Sequence, residues 1–288
     1  MAIEISLVTD ELSADPRTAF ELGSEWGIRH YELRGFYAER APMISRHQRH
    51  RLHQMVAEFG ATITALSPGL FKIPYPAAEP AESNLGWMDR GFFAQWEAQA
   101  KALTEHMETL LPASIEMAQE FGAPFIVAFS FHRAGALGGP APAGAIAALR
   151  QAAARVHAAG LTLLIETEEG FWGDTGARTA ALVEAVGAPG LAVNWDPANS
   201  FCEGDLPYPT GYEAVRRHIR NVHFKDAARD SEGRASFVAE GDVDWPGQIA
   251  ALRRDGYDGC IAIEPHLQPR VAAVRGALER LRGLLAKG

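Results

Sequence analysis

Four residues in this chain are of the right type and spacing to act together: Glu166, Asp196, His223 and Glu264. Each sits at or near the end of a short β-rich run, in LLIE, AVNWD, NVHFKD and IAIE, and the gaps between them are 30, 27 and 41 residues. If the runs are neighbouring strands, their ends converge, and three carboxylates at one point cannot all stay ionised without a cation. One divalent metal resolves the conflict. Three carboxylate oxygens and one imidazole form a mostly hard donor set that suits Mn²⁺, Mg²⁺ or Co²⁺ and also admits Zn²⁺. Such an ion polarises a carbonyl and its neighbouring hydroxyl, acidifies the C–H between them and stabilises an enediolate. Singly, each carboxylate has a plainer reading as a helix N-cap, and the histidine as a satisfied core group. Asp196 and Glu264 both precede proline, which biases them towards extended backbone at the point where a strand stops.

The elements that must position these residues follow from periodicity. β-rich runs occur near Ile3–Val8, His30–Leu33, Thr62–Ser67, Phe125–Phe129, Thr162–Glu166, Leu191–Trp195, Ile219–Phe224 and Gly259–Glu264. Helical spacing lies between them, near Asp15–Trp26, Ser45–Phe59, Phe92–Phe121, Ala143–Ala159, Ala177–Val186, Tyr212–Arg217, Trp245–Asp255 and Val271–Leu285. Alternating β and α argue for a parallel sheet, and eight units with none left over argue for closure. The expectation is an α/β fold, a single-domain (β/α)8 TIM barrel over residues 1–288, whose site lies at the C-terminal strand ends. No glycine-rich fingerprint follows the first strand, which disfavours a dinucleotide-binding sheet. Gly60, Gly122 and Gly160 stand where left-handed helix ends are wanted. Pro68–Asp89, rich in proline, follows the third strand and is expected over the site.

Further positions are candidates for substrate contact. Glu32 ends the second strand, with an N-cap or a pair with Arg34 as its plainer role. His132 follows the fourth strand, and a polar loop residue is the alternative. Lys225 shares a face with His223 by strand alternation, and its alternative partner is Asp226. Trp172, with Phe71 and Phe201, could wall a sugar or merely pack. Asn199 lies three residues after Asp196. Glu168 and His266 could support the site or be solvated, while His47, His50 and His53 read as a solvated helix face.

Bulk properties bound the rest. The net charge of −9 disfavours nucleic acid as a partner. No apolar run is long enough to span a membrane, and the start of the chain has no secretory pattern. Cys202 and Cys260 cannot make a disulfide framework. A cytoplasmic location is expected, and a homo-oligomer is left open. Basic residues are lopsided, 23 Arg against four Lys.

The motifs LIETEEG at Glu166, NWDPANS at Asp196, NVHFKDA at His223, AEGDVDWPG at Gly241 and GYDGCIAIEPH at Glu264 carry a resemblance. The chain resembles the xylose isomerase-like barrel superfamily, in the branch of sugar phosphate isomerases and epimerases. Ketose 3-epimerases, hydroxypyruvate isomerase and inosose dehydratase are similar. The resemblance implies that Glu166, Asp196, His223 and Glu264 bind the metal and that the two glutamates act on opposite faces of the substrate. Ketose epimerases usually carry a histidine where this chain has Asn199. The implied activity is a metal-dependent sugar or sugar phosphate isomerase or epimerase. Its rivals are a dehydratase on the same scaffold, an apurinic endonuclease-type hydrolase and a non-catalytic sugar-binding protein.

Overall fold

The computed structural model describes residues 3–76, 90–133 and 139–287, without the side chains of 90–94. Eight parallel strands close into a barrel: β1 (Glu4–Val8), β2 (His30–Leu33), β3 (Thr62–Leu70), β4 (Phe125–Ala128), β5 (Thr162–Glu166), β6 (Leu191–Trp195), β7 (Ile219–Phe224) and β8 (Cys260–Ile263). Every strand pairs with its neighbours in sequence, and β8 returns to β1 in register from Glu4↔Cys260 to Leu7↔Ile263. Helices occupy the crossovers, which parallel strands require. They include Pro16–Glu25, Arg46–Glu58, Leu111–Phe121, Ala143–Ala158, Gly176–Val186, Trp245–Arg254 and Arg270–Ala286. The eight strands anticipated from periodicity are therefore present, with ends shifted by a few residues.

Local chemistry sets the helix limits. Ser45 and Gln48 form a reciprocal cap at the start of Arg46–Glu58. Gly60, Gly122 and Gly160 are all left-handed, as their place after a helix requires.

Strand alternation divides the barrel into two environments. One parity, with Leu33, Ile165, Trp195, Phe224 and Ile263, joins the apolar core between strands and helices. The other parity carries Ser6, Glu32, Thr64, Glu166, Asn194, Asn221 and His223, all buried. The polar groups inside the barrel bind one another: Ser6 Oγ lies 3.1 Å from Thr64 Oγ1, and Asn221 Nδ2 donates to Asn194 Oδ1 at 3.0 Å. Buried polar groups are tolerated when satisfied in this way.

Three features depart from the expected layout. β3 runs on to Leu70 past Pro68, with its register on β4 broken between Leu66 and Leu70; an irregular strand end accommodates a residue that lacks an N–H. Two short antiparallel ribbons, Gly35–Phe36 with Glu39–Arg40 and Asp226–Arg229 with Ala235–Val238, extend from the strand ends. A short helix, Pro197–Cys202, begins immediately after Asp196. Residues 77–89 of the proline-rich segment, Pro80 among them, lie outside the described residues. Among the described residues no helix is long and apolar enough to cross a membrane.

Candidate active site

Parity turns Glu166, Asp196, His223 and Glu264 inwards at the ends of four consecutive strands. Each offers a donor atom, and the four atoms lie within 4.8 Å of one another, all on buried residues. His223 Nδ1 is 3.3 Å from Glu166 Oε1 and 3.1 Å from Glu264 Oε2. Asp196 divides its work between two oxygens. Oδ1 accepts from the Asn199 amide at 2.9 Å and caps the short helix. Oδ2 is buried without a hydrogen bond of acceptable geometry, although Lys225 Nζ stands 2.8 Å away. The plain N-cap role and the inward-facing role are thus both present in one side chain.

Lys225 is fully buried and donates to Glu264 Oε2 at 2.6 Å. Its expected alternative partner, Asp226, is instead paired with Arg280 at 2.6 Å. The Trp245 indole, from the AEGDVDWPG motif, donates to the Lys225 carbonyl at 2.9 Å and fixes the end of β7. Gly241 makes that return possible, since a Cβ there would sit 2.3 Å from the Ala227 carbonyl oxygen.

Behind His223 lies Glu32. His223 Nε2 is 3.2 Å from both Glu32 oxygens. Glu32 also accepts from Ser67 Oγ and, at 3.1 Å, from Asn221 Nδ2. It is fully buried. Asn194 Nδ2 lies 3.1 Å from Nε2 and 3.3 Å from Nδ1. With a proton on Nε2 shared with Glu32, loss of the Nδ1 proton would leave a lone pair facing the acidic cluster, the usual arrangement of a metal-ligating histidine.

Charge explains the protonation preferences. Glu32, Glu166, Asp196 and Glu264 surround His223, with Lys225 paired to Asp196 and Glu264 and Arg34 to Glu264. Burial opposes the charged form of His223, but Glu264, Glu32 and Glu166 outweigh it and hold its pKa well above the ordinary value. Burial likewise opposes ionisation of Glu264, yet Lys225 and His223 keep it well below the usual carboxylate range. Asp196 moves the other way, raised by burial that its cations only partly offset. Four converging donors and an unbonded buried carboxylate oxygen fit a divalent ion, which could replace the proton on His223.

Above the cluster opens a cavity of about 260 Å³, lined by both catalytic candidates, Glu166 and Glu264, and by Glu168, Arg34, Arg40, Lys72 and His266 among others. Glu168 binds Lys72 Nζ at 2.6 Å and Asn199 Nδ2 at 2.7 Å, and burial next to Glu166 raises its pKa. A second acidic group, Glu11, Glu264 and His266, adjoins the first. Arg34 occupies it, bonding Asp10 at 2.8 Å and also Glu11 and Glu264. The expected Arg34–Glu32 pair is therefore replaced by three other carboxylates. His266 adopts a left-handed backbone (φ 54°) and is held by Glu11, which accepts from its amide at 2.9 Å and lies 2.8 Å from Nδ1.

The remaining candidates scatter. Asn199 is buried against Glu168 and the Thr167 carbonyl. His132 is exposed, edge-on to Phe171 at 5.3 Å, and Trp172 is half-buried. Neither they nor Glu32, Asn199 and Lys225 line the cavity. Phe71 is fully buried against Phe131, and Phe201 lies under Arg229. His47 and His50 are exposed, but His53 pairs with Glu120 at 2.5 Å and stacks on Phe121. Both cysteines are free, and burial pushes each thiol up to about 11. Arg34 was legible in principle, because alternation from Glu32 puts both on the inner face. Asp10, Glu11 and Arg40 gave no such signal, since they lie beyond strand ends or on a ribbon.

A family profile described as xylose isomerase-like TIM barrel matches residues 20–284. No curated protein matches the sequence. Among solved structures, the IOLI protein with a bound zinc atom superposes with TM-score 0.71 at 13% identity, covering 99% of each chain. The probable 3-DHS dehydratase AsbF of Bacillus anthracis gives 0.69 at 18%, covering 97% of this chain and 99% of that one. The D-allulose 3-epimerase of Methylomonas sp. in complex with D-allulose gives 0.65 at 14%, covering 98% and 97%. At these identities the superpositions establish the shared fold.

Proposed function

Since the chain belongs to the xylose isomerase-like TIM barrel family, we propose that it is a divalent-metal-dependent isomerase or epimerase of a sugar or sugar phosphate, working by proton transfer. The observation that carries this reading is the placement of Glu166 and Glu264. They rise from β5 and β8, line one cavity, and both touch His223. Glu166, Asp196, His223 and Glu264 would hold the ion, which when bound would acidify the C–H beside a substrate carbonyl. One glutamate takes that proton and the other delivers one to the enediolate. Lys225, hydrogen-bonded to Glu264, keeps that carboxylate ionised and oriented. Glu32 fixes the ring and tautomer of His223. Zinc in one structural neighbour and D-allulose in another support the metal and the substrate class.

A dehydratase is the second reading, and Glu168 favours it. This carboxyl lines the cavity with a raised pKa, so it can retain a proton for a departing β-hydroxyl. Asn199 points the same way, being engaged with Glu168 where ketose epimerases carry histidine. Turnover in D₂O tests both. Deuterium on the carbon beside the carbonyl is expected, and a product lighter by one water identifies the dehydratase. Complete retention of the substrate hydrogen over many turnovers of slow substrates would overturn proton transfer altogether.

A further inference from the structure

The cations around the cavity are unequal. Arg34 is bonded to Asp10, Glu11 and Glu264, Lys72 is paired with Glu168, and Lys225 with Asp196 and Glu264. Arg40 lines the same cavity. Among the described residues no carboxylate comes within ion-pair distance of it, and its one hydrogen bond runs from Nε to the Ser67 carbonyl at 3.0 Å.

That bond anchors the guanidinium. It lies against the backbone at the end of β3, so that a Cβ on Gly69 would be 3.3 Å from Arg40 Cζ and Nε. Gly69 is itself left-handed (φ 78°) and carries no side chain to push the guanidinium away. The protein packed around its inner end and the neighbouring Arg34 lower the Arg40 pKa against the opposing pull of Asp10, Glu166 and Glu264, while the residue stays solvent-exposed. A guanidinium held by Nε, with its terminal nitrogens uncommitted, matches the fork of a carboxylate or phosphate.

We propose that Arg40 is the anion-recognition residue of this cavity, and that the substrate carries a carboxylate or phosphate group in addition to its hydroxy-carbonyl. The inference rests on the reading of the cavity as a hydroxy-carbonyl site. The reacting carbons lie at the Glu166 and Glu264 end, and the anionic group reaches the Gly35–Arg40 ribbon.

The test is equilibrium binding by calorimetry on metal-replete protein, with D-fructose, D-fructose 6-phosphate and D-fructuronate as probes. One charged sugar is expected to bind about tenfold to a hundredfold more tightly than D-fructose. Arg40→Gln should abolish that preference, and Arg40→Lys should restore it only in part, because an ammonium lacks the fork. Preference for the phosphate or for the carboxylate assigns the anion. No preference for either charged sugar, or a preference that survives in Arg40→Gln, overturns the proposal. Binding is read without turnover, so a protein that selects the anion through Arg40 yet exchanges no deuterium would sink the proton-transfer reading alone.

Discussion

Two acidic clusters share Glu264 at the barrel mouth, and they solve the same electrostatic problem differently. Beside Asp10 and Glu11, the compensating charge is covalently attached: Arg34 bridges Asp10, Glu11 and Glu264, and His266 closes the group. Around His223, Glu32, Glu166, Asp196 and Glu264 converge, Lys225 pairs with only two of them, and Asp196 Oδ2 is left without a proper hydrogen bond. The first arrangement has each acid bonded by a donor of the chain itself. The second keeps a buried carboxylate oxygen unbonded, and under the proposed function it is where a divalent ion would bind. The number of acids is therefore a poor guide to a metal site; what matters is whether the chain's own donors satisfy every acid.

The comparison is most exposed at the shared residue. Glu264→Gln should lower kcat by about 10²–10⁴ at saturating metal, the typical loss of a general acid or base. Near-normal turnover with full metal would remove Glu264 from proton transfer and leave it only a bridge between clusters.

The cluster around Arg34 should reveal itself in acid. Burial opposes ionisation of Glu11, but the hydrogen bond with His266 and the charge of Arg34 lower its pKa from 4.5 to about 2. A carboxyl depressed in the folded state stabilises the fold above its unfolded pKa. That contribution, on the order of 3 kcal/mol, is lost as pH falls from roughly 4.5 towards 2. Urea unfolding across this window should show the loss, and Glu11→Gln should lack that component. An identical pH slope in both proteins would deny the cluster its structural role.

The smallest effect is the most diagnostic of the cluster around His223. Glu32→Gln should weaken divalent-metal affinity about 10–100-fold in a metal titration, because it loosens His223 from behind. His47→Ala, on an exposed helix face, should leave the affinity unchanged. Equal affinity in Glu32→Gln and wild type would make Glu32 a plain interior acceptor.

The local rules were legible in the chain itself. Period-two runs and glycine-ended helices are short-range properties, so eight strands could be read without tertiary structure. Parity within a strand is equally local, and it places Glu166, Asp196, His223 and Glu264 on the inner face. Partnership is not local. Glu32 and His223 are 191 residues apart, and Arg34 and Glu264 are 230 apart. No propensity distinguishes an arginine that bonds three acids from one, such as Arg40, that bonds none. Barrel closure alone brought Glu32 of β2 against His223 of β7 across the polar interior. Tertiary structure likewise assigned Arg34 to the acids and left Arg40 at the cavity, because the balance of charge is set by distance in space and not along the chain.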